Sequence, residues 1–170
     1  KPLPHRPYGH SKLQQERFIA ALPSHIEKFI YRPSSVFGSN PGARTGLITA
    51  LVRNATLRRV TRIFGSMTTL RDFVYVEDIA RFIADAIWHP QDPTPFNLVS
   101  GKATALGEVV EVIRNIVGTN LLLEIDPSPS NASDNTFSPK ILPAGFSNSD
   151  FRTAVRETAR KLKQNELLSR

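Results

Sequence analysis

Arg71-Asp72-Phe73-Val74-Tyr75-Val76-Glu77-Asp78-Ile79-Ala80-Arg81-Phe82-Ile83-Ala84-Asp85-Ala86-Ile87-Trp88 is the stretch that decides the fold. Residues 72–76 are a short run rich in aromatic and β-branched side chains, which reads as a buried strand. From Glu77 the period changes. Ile79, Phe82, Ile83, Ala86 and Ile87 fall at i, i+3, i+4, i+7 and i+8, the apolar face of a helix over residues 77–88. A strand passing directly into an amphipathic helix points to α/β architecture.

The same alternation continues on both sides. Downstream, residues 96–99 suit a strand. Leu106, Val109, Val110, Ile113, Ile116 and Val117 repeat the helical template, and Gly118 suits its C-terminal stop. Residues 121–125 read as a further strand, residues 127–135 as a long polar loop, and Phe151, Ala154, Val155, Thr158 and Leu162 as a terminal helix. Upstream, residues 60–64 precede a Gly65-Ser66 turn, and Leu47, Ile48, Leu51, Val52 and Ala55 line a helix. Gly38-Ser39-Asn40-Pro41-Gly42 is turn chemistry. A short strand at residues 29–31 ends at Arg32-Pro33, and a helix runs from Tyr8 to a stop at Pro23, with Tyr8, Lys12, Gln15 and Ile19 on one stripe. No Gly-rich turn between a strand and a helix, able to cradle a dinucleotide pyrophosphate, occurs in the chain.

Composition narrows the function classes. The chain has 170 residues, one domain's worth, with 40% apolar and 22% charged residues, which excludes disordered and fibrous classes. It holds no cysteine, so disulfides, thiol nucleophiles and iron–sulfur ligation are excluded. No apolar run reaches the length of a membrane-spanning helix, and no membrane partner is expected. Lys1 opens the chain without a charged-then-apolar leader, so no signal peptide is expected, and the sequence reads as a piece of a longer protein. Lys and Arg outnumber Asp and Glu by 22 to 15, giving +7, a balance suited to anionic ligands. Arg53, Arg58, Arg59 and Arg62 cluster near the second helix without interleaved aromatics, so they read as a solvated basic face and no nucleic-acid partner is expected. His5, His10, His25 and His89 show no ligand spacing, so no metal is expected. Trp88 reads as a packing residue at a helix end.

The chemistry concentrates in Tyr8-Gly9-His10-Ser11-Lys12. Tyr8 and Lys12 are four residues apart, on one helical face. A phenol with a reference pKa near 10 is a poor base at neutral pH, but a nearby cation and the positive end of a helix both favour phenolate. Such a tyrosine can exchange a proton with a sugar hydroxyl while hydride passes to or from a nicotinamide. By itself the pair also fits a solvated helix face.

Four motifs in order resemble one family. Pro7-Tyr8-Gly9-His10-Ser11-Lys12-Leu13-Gln14-Gln15-Glu16 is similar to the active-site helix of the extended short-chain dehydrogenase/reductase family, the nucleotide-sugar epimerases and dehydratases. Arg32-Pro33-Ser34-Ser35-Val36-Phe37-Gly38 is similar to the family's Arg-Pro-x-x-Val-Phe/Tyr-Gly strand end. Arg71 to Ala80 resembles its Arg-Asp-Phe/Tyr-x-x-Val-x-Asp block, and Phe96-Asn97-Leu98-Val99-Ser100-Gly101 the strand and glycine turn that follow. The resemblance implies the C-terminal part of a Rossmann-type doubly wound parallel sheet plus a small α/β substrate-binding lobe. Residues 1–45 would end the cofactor domain, and residues 46–170 would be mostly substrate lobe, with 71–100 returning to the cofactor domain. The N-terminal Gly-rich half is not in this sequence.

By the same resemblance Tyr8 is the acid/base, and Lys12 binds the nicotinamide ribose of NAD or NADP and lowers the Tyr8 pKa. Pro33 sits beside the nicotinamide. Ser35 stands where many relatives have a sugar-contacting asparagine. Ile63 and Phe64 line a nucleotide-base pocket, and Arg71 reaches a diphosphate oxygen, with a structural ion pair to Asp72, Glu77 or Asp78 as the alternative. No arginine lies between Arg114 and Arg152, where relatives often complete the clamp, so the diphosphate is held more weakly or the substrate differs. The implied parent is a cytoplasmic NAD(P)-dependent epimerase or dehydratase acting on a nucleotide sugar, homodimeric at full length, with this piece inactive alone. The alternatives are an NADPH-dependent ketone or aldehyde reductase, or a non-catalytic binding protein that retains the fold.

Overall fold

A computed structural model describes Pro4 and residues 6–39, 46–88, 95–118, 121–126 and 134–168. In chain order these hold α1 (Pro7–Ala20), β1 (Ile30–Pro33), β2 (Ser35–Phe37), α2 (Leu47–Thr56), β3 (Val60–Phe64), β4 (Leu70–Tyr75) and α3 (Val76–Trp88). Then follow β5 (Pro95–Leu98), β6 (Ala103–Ala105), α4 (Leu106–Val117), β7 (Leu122–Asp126), a 3-10 turn (Pro139–Ile141) and α5 (Phe151–Leu168). The alternation is the α/β pattern the periodicity predicts.

The strands form three small sheets. β1 pairs parallel with β5, from Ile30↔Pro95 to Pro33↔Leu98. β2 pairs parallel with β4, from Ser35↔Phe73 to Phe37↔Tyr75, and β6 adds antiparallel on the other edge of β4. β3 pairs parallel with β7. Between β1 and β2 the chain changes sheets at a single residue, Ser34, whose N–H still reaches Leu98 O at 3.1 Å.

Two cores result, and β4 is the wall between them. Successive strand residues point to opposite faces. Phe73 and Tyr75 join a large core with Phe37, Ile63 and the apolar stripes of α2 (Ile48, Leu51, Val52), α4 (Val109, Ile113) and α5 (Val155, Leu162). Val74 joins a second core with Phe82, Leu98 and Phe146, against which Tyr31, Ile79 and Phe96 pack. Asp78, buried at the start of α3, fastens the chain ahead of α5 by accepting from Ser149 N and Ser149 Oγ, both at 2.7 Å. Asp150 then accepts from Thr153 N at 2.9 Å in the first turn of α5.

Some expectations need correction. β2 and β6 are each three residues long, too short to show a period, and escaped the sequence reading. Trp88 does not pack: it is 80% exposed at the end of α3. Phe18 is also largely exposed, and α1 buries none of its side chains, so its stripe covers no core among the described residues. Of the expected loop at 127–135, residues 127–133 lie outside the described residues. Asn135 is not loop-like: it makes a parallel bridge to Arg71. In the turn at 38–42, residues 40–42 likewise lie outside the described residues.

Gly38 closes β2 at a point where a side chain does not fit. Its φ is +145°, and a Cβ there would stand 2.3 Å from Val76 Cγ1, at the head of α3. Gly38→Ala must therefore move either β2 or α3. It is expected to lower stability by about 1–3 kcal/mol, read as a lower urea midpoint with an unchanged slope. An unchanged midpoint would contradict this packing.

Candidate active site

α1 begins where Arg6 is extended and Pro7, at the first helical position, has no N–H to satisfy. It ends at Ala21, and beyond it Lys28 Nζ donates to Leu22 O at 2.6 Å, placing a cation at the C-terminal end of the helix. Spacing of 3.6 residues per turn puts Tyr8, Lys12 and Glu16 on one stripe, with Gly9 and Leu13 beside them. This stripe lines an open cleft of about 1040 Å³. Tyr31, Arg32, Pro33 and Ser34 at the end of β1, with Asn97 of β5, form another side, and Asn135 and Phe137 close it.

Tyr8 is 74% exposed, and among the described residues its hydroxyl has no hydrogen-bond partner. Lys12 Nζ lies 5.7 Å from the Tyr8 ring centroid, within cation–π range, and donates to Gln15 Oε1 at 3.1 Å. Glu16 is taken from the opposite side of the cleft. Arg32 Nε donates to Glu16 Oε1 at 2.7 Å and Arg32 Nη2 donates to Glu16 Oε2, a planar two-point grip. The guanidinium hydrogen bonds hold the Glu16 carboxyl below its ordinary value, and the same bonds raise Arg32. Burial pushes the Tyr31 phenol up.

Below the cleft, Asp72 is completely buried and surrounded by donors. Ser34 Oγ donates to its Oδ1 at 2.5 Å and Ser100 N at 2.8 Å, while Ser100 Oγ at 3.0 Å and Gly101 N at 2.7 Å reach its Oδ2. Four hydrogen bonds replace the water this carboxylate gives up. The Asp of the Arg-Asp-Phe block is thus a tie between β4, the sheet change at Ser34 and the turn after β5.

Arg71 is half-buried and makes no ion pair among the described residues. The three carboxylates that could have held it are engaged elsewhere: Asp72 as above, Glu77 by Lys161, and Asp78 by Ser149 and Arg81. The scaffold ion pair to Asp72, Glu77 or Asp78, the alternative for Arg71, is not formed. Its neighbour across the bridge is Asn135, with Asn135 N donating to Leu70 O at 3.0 Å and Asp72 N to Asn135 O at 2.8 Å.

The other expected site residues divide. Tyr8, Lys12 and Pro33 come together in the cleft. Ser35 does not line it; Ser34 does, because the change of sheet turns that residue toward Asp72. Ile63 and Phe64 leave β3 on opposite faces: Ile63 is 2% exposed in the large core and cannot line an open pocket, whereas Phe64 is 51% exposed. Among the described residues no group of His, Asp or Glu could hold a metal ion, and no helix is long and apolar enough to cross a membrane. Sequence reasoning missed Glu16, Arg32, Asn97 and Asn135. The signal for Glu16 was its place two turns after Tyr8; nothing local marks Asn135.

Residues 1–99 match the profile of the NAD dependent epimerase/dehydratase family. The chain is 34% identical over 122 residues to the ADP-L-glycero-D-manno-heptose-6-epimerase of Pseudomonas paraeruginosa, a match covering 65% of this chain and 37% of that protein. It is 29% identical over 119 residues to the dTDP-L-rhamnose 4-epimerase of Burkholderia thailandensis, covering 66% of this chain and 33% of that protein. The fold superposes on the UDP-glucuronic acid 4-epimerase of Bacillus cereus, solved with UDP-glucuronic acid and NAD, with a TM-score of 0.77 at 20% identity, over 97% of this chain and 55% of that one. On the UDP-glucose 4-epimerase of Thermus thermophilus, solved with NAD, the TM-score is 0.79 at 18% identity, over 95% and 55%. At these identities the likeness is one of fold. The chain spans about a third of the length of the curated relatives it matches and about half of the solved ones.

Two outcomes follow from the geometry. Asp72→Ala strands four donors and is expected to cost about 3 kcal/mol or more in denaturant unfolding; a loss below about 1 kcal/mol would contradict its role as a tie. Because the folded value of Glu16 lies below its reference value of 4.5, the ion pair's contribution is complete above that value and is lost as pH falls through the folded one. Since α1 buries no side chain, its amides should lose hydrogen-exchange protection on acidification before those of α4, and Glu16→Gln should abolish that step. Protection of α1 that is the same in both proteins at every pH would refute it.

Proposed function

The chain belongs to the NAD dependent epimerase/dehydratase family, and from that premise we propose that it carries the acid/base side and part of the substrate lobe of a nucleotide-sugar epimerase or dehydratase. The observation that carries the reading is the placing of Tyr8, Lys12 and Pro33 on one cleft, with the ammonium against the phenol ring. In this reading β1, α3 and β5 belong to the cofactor side, and the core of α2, α4 and α5 belongs to the substrate side.

The residues present fit the nicotinamide–ribose end of a dinucleotide. Lys12 has donors to spare beyond its bond to Gln15, as ribose hydroxyls require, and Pro33 offers an apolar edge for a ring. No Gly-rich strand–helix turn occurs in these 170 residues, so the reading assigns no residue here to the pyrophosphate. Activity is therefore expected only from a protein of the relatives' full length. A bound nicotinamide dinucleotide supplies a reversible two-electron acceptor.

Tyr8 takes the proton from a sugar hydroxyl as that carbon is oxidised and gives a proton back when the carbon is reduced. Lys12 stabilises the phenolate between these events by its charge. Arg71, half-buried and unclaimed by a carboxylate among the described residues, is the candidate for the substrate diphosphate, and Phe64, exposed on β3, for the face of its base. Association of two copies along the exposed α1 belongs to the same reading.

The test is Tyr8→Phe in a protein of full length that carries this chain, assayed with UDP-glucose and related nucleotide sugars. Phenylalanine keeps the ring and removes the proton. Turnover should fall by about 10²–10⁴-fold, while NAD and nucleotide-sugar binding, measured by calorimetry, persist. Undiminished turnover would reject the acid/base role. Net oxidation of NADPH by the unaltered protein would replace the epimerase reading with that of a reductase.

A further inference from the structure

Lys12 has a second anion within reach besides a phenolate at Tyr8. Glu16 stands four residues after it on the same stripe, a spacing at which a lysine and a glutamate meet on a helix surface. The order with Lys ahead of Glu is the weaker of the two, yet still attractive. Were the pair to form, the ammonium would be drawn one turn away from the Tyr8 ring and the end of the cleft that Tyr8 lines. It does not form. Both Glu16 oxygens are held by Arg32 from the facing strand, and Lys12 remains over Tyr8 with the neutral Gln15 carbonyl as its one polar partner among the described residues.

The two sites compete unequally for physical reasons. Arg32 offers a rigid planar fork that fits a carboxylate at two points, whereas Lys12 offers one mobile point charge. The Arg32–Glu16 pair is also the better shielded, with side-chain exposures of 29% and 20%, so it is less screened than a pair on the open helix face.

We infer that Arg32 is a positioning residue for Lys12: by engaging both carboxylate oxygens of Glu16 it prevents a Glu16–Lys12 pair within α1 and leaves the ammonium to Tyr8. The meaning of this device for catalysis rests on the proposed roles of Tyr8 and Lys12, but the device itself does not, and it can be tested without cofactor or substrate. Among the described residues the titratable groups around the cleft are Tyr8, Lys12 and Glu16 from α1 and Tyr31 and Arg32 from β1. The facing segment contributes Asn135 and Phe137, neither of which titrates, and β5 contributes Asn97.

A simple anchor and a charge-sequestering device differ in sign. If Arg32 only ties α1 to β1, removing Glu16 as well as Arg32 brings no recovery. If Arg32 withholds Glu16 from Lys12, then Arg32→Gln alone is harmful, and adding Glu16→Gln restores what was lost. The readout is the nuclear Overhauser contact between the Lys12 ε-methylene and the ring protons of Tyr8 in the whole chain at neutral pH. The Tyr8 ring among the three tyrosines is assigned with Tyr8→Phe. Arg32→Gln should weaken this contact by roughly a third to a half, as expected if a surface i, i+4 pair competes for the ammonium, and the Arg32→Gln/Glu16→Gln protein should return it to the starting value. Equal contacts in the single and double variants overturn the inference. Should Arg32→Gln lose its cooperative melt, Glu16→Gln alone decides. Sequestration predicts a contact no weaker than that of the unaltered protein, and a weakening overturns it. Persistent turnover in Tyr8→Phe would remove the proposed enzyme function and leave this result standing.

Discussion

The buried carboxylate of Asp72 is the interaction on which the arrangement depends. It lies on β4, the strand that separates the two cores, and it receives hydrogen bonds from Ser34 and from Ser100 and Gly101. Ser34 is the residue at which the chain leaves the β1–β5 sheet and enters the β2–β4 sheet, and Ser100 follows β5. One side chain thus fixes the relation between the sheet beneath Tyr8 and the sheet on which Arg71 is placed. A carboxylate suits this task because two oxygens accept from several directions, and complete burial keeps water from competing.

Above that tie, the cleft separates its charges by geometry. Arg32 and Glu16 neutralise each other across the gap between β1 and α1, while Lys12 and Tyr8 are left facing solvent. Among the described residues the helix bearing them joins neither core; this ion pair ties it to β1, and Lys28 meets the chain just past its C-terminal end. A second phenol, Tyr75, shows the contrasting fate. Among the described residues its hydroxyl is buried without a partner at hydrogen-bond geometry, and burial first, then the nearby Glu77 carboxylate, pushes it up to about 12. The same functional group is thus sealed in the large core and exposed at the cleft.

Much of the fold could be read from period and punctuation. The stripes of α3 and α4 each recur over three turns and are bounded by a strand or by Gly118, so pattern alone places them. β2 and β6 have too few residues for a period, and their pairing with β4 is a long-range choice. Motif order surrounds Tyr8, Lys12 and Pro33, and these come together in the cleft. Ser34 lines it and Ser35 does not, since a one-residue change of sheet is invisible in a linear pattern. Ile63 was grouped with Phe64 although strand alternation sends adjacent residues to opposite faces. Arg32 and Asn135 acquire their roles only from partners that folding brings near: Glu16, sixteen residues away, for the first, and Arg71 for the second.

The central claim is that Tyr8 and Lys12 together address a nicotinamide. The most direct measurement is a crystal structure, with NAD bound, of a full-length protein that carries this chain. The account predicts Lys12 Nζ within hydrogen-bond distance of the nicotinamide ribose hydroxyls and the Tyr8 hydroxyl turned toward the space beside the ring. A dinucleotide bound with its ribose away from Lys12, or with Tyr8 directed out of the cleft, would contradict it.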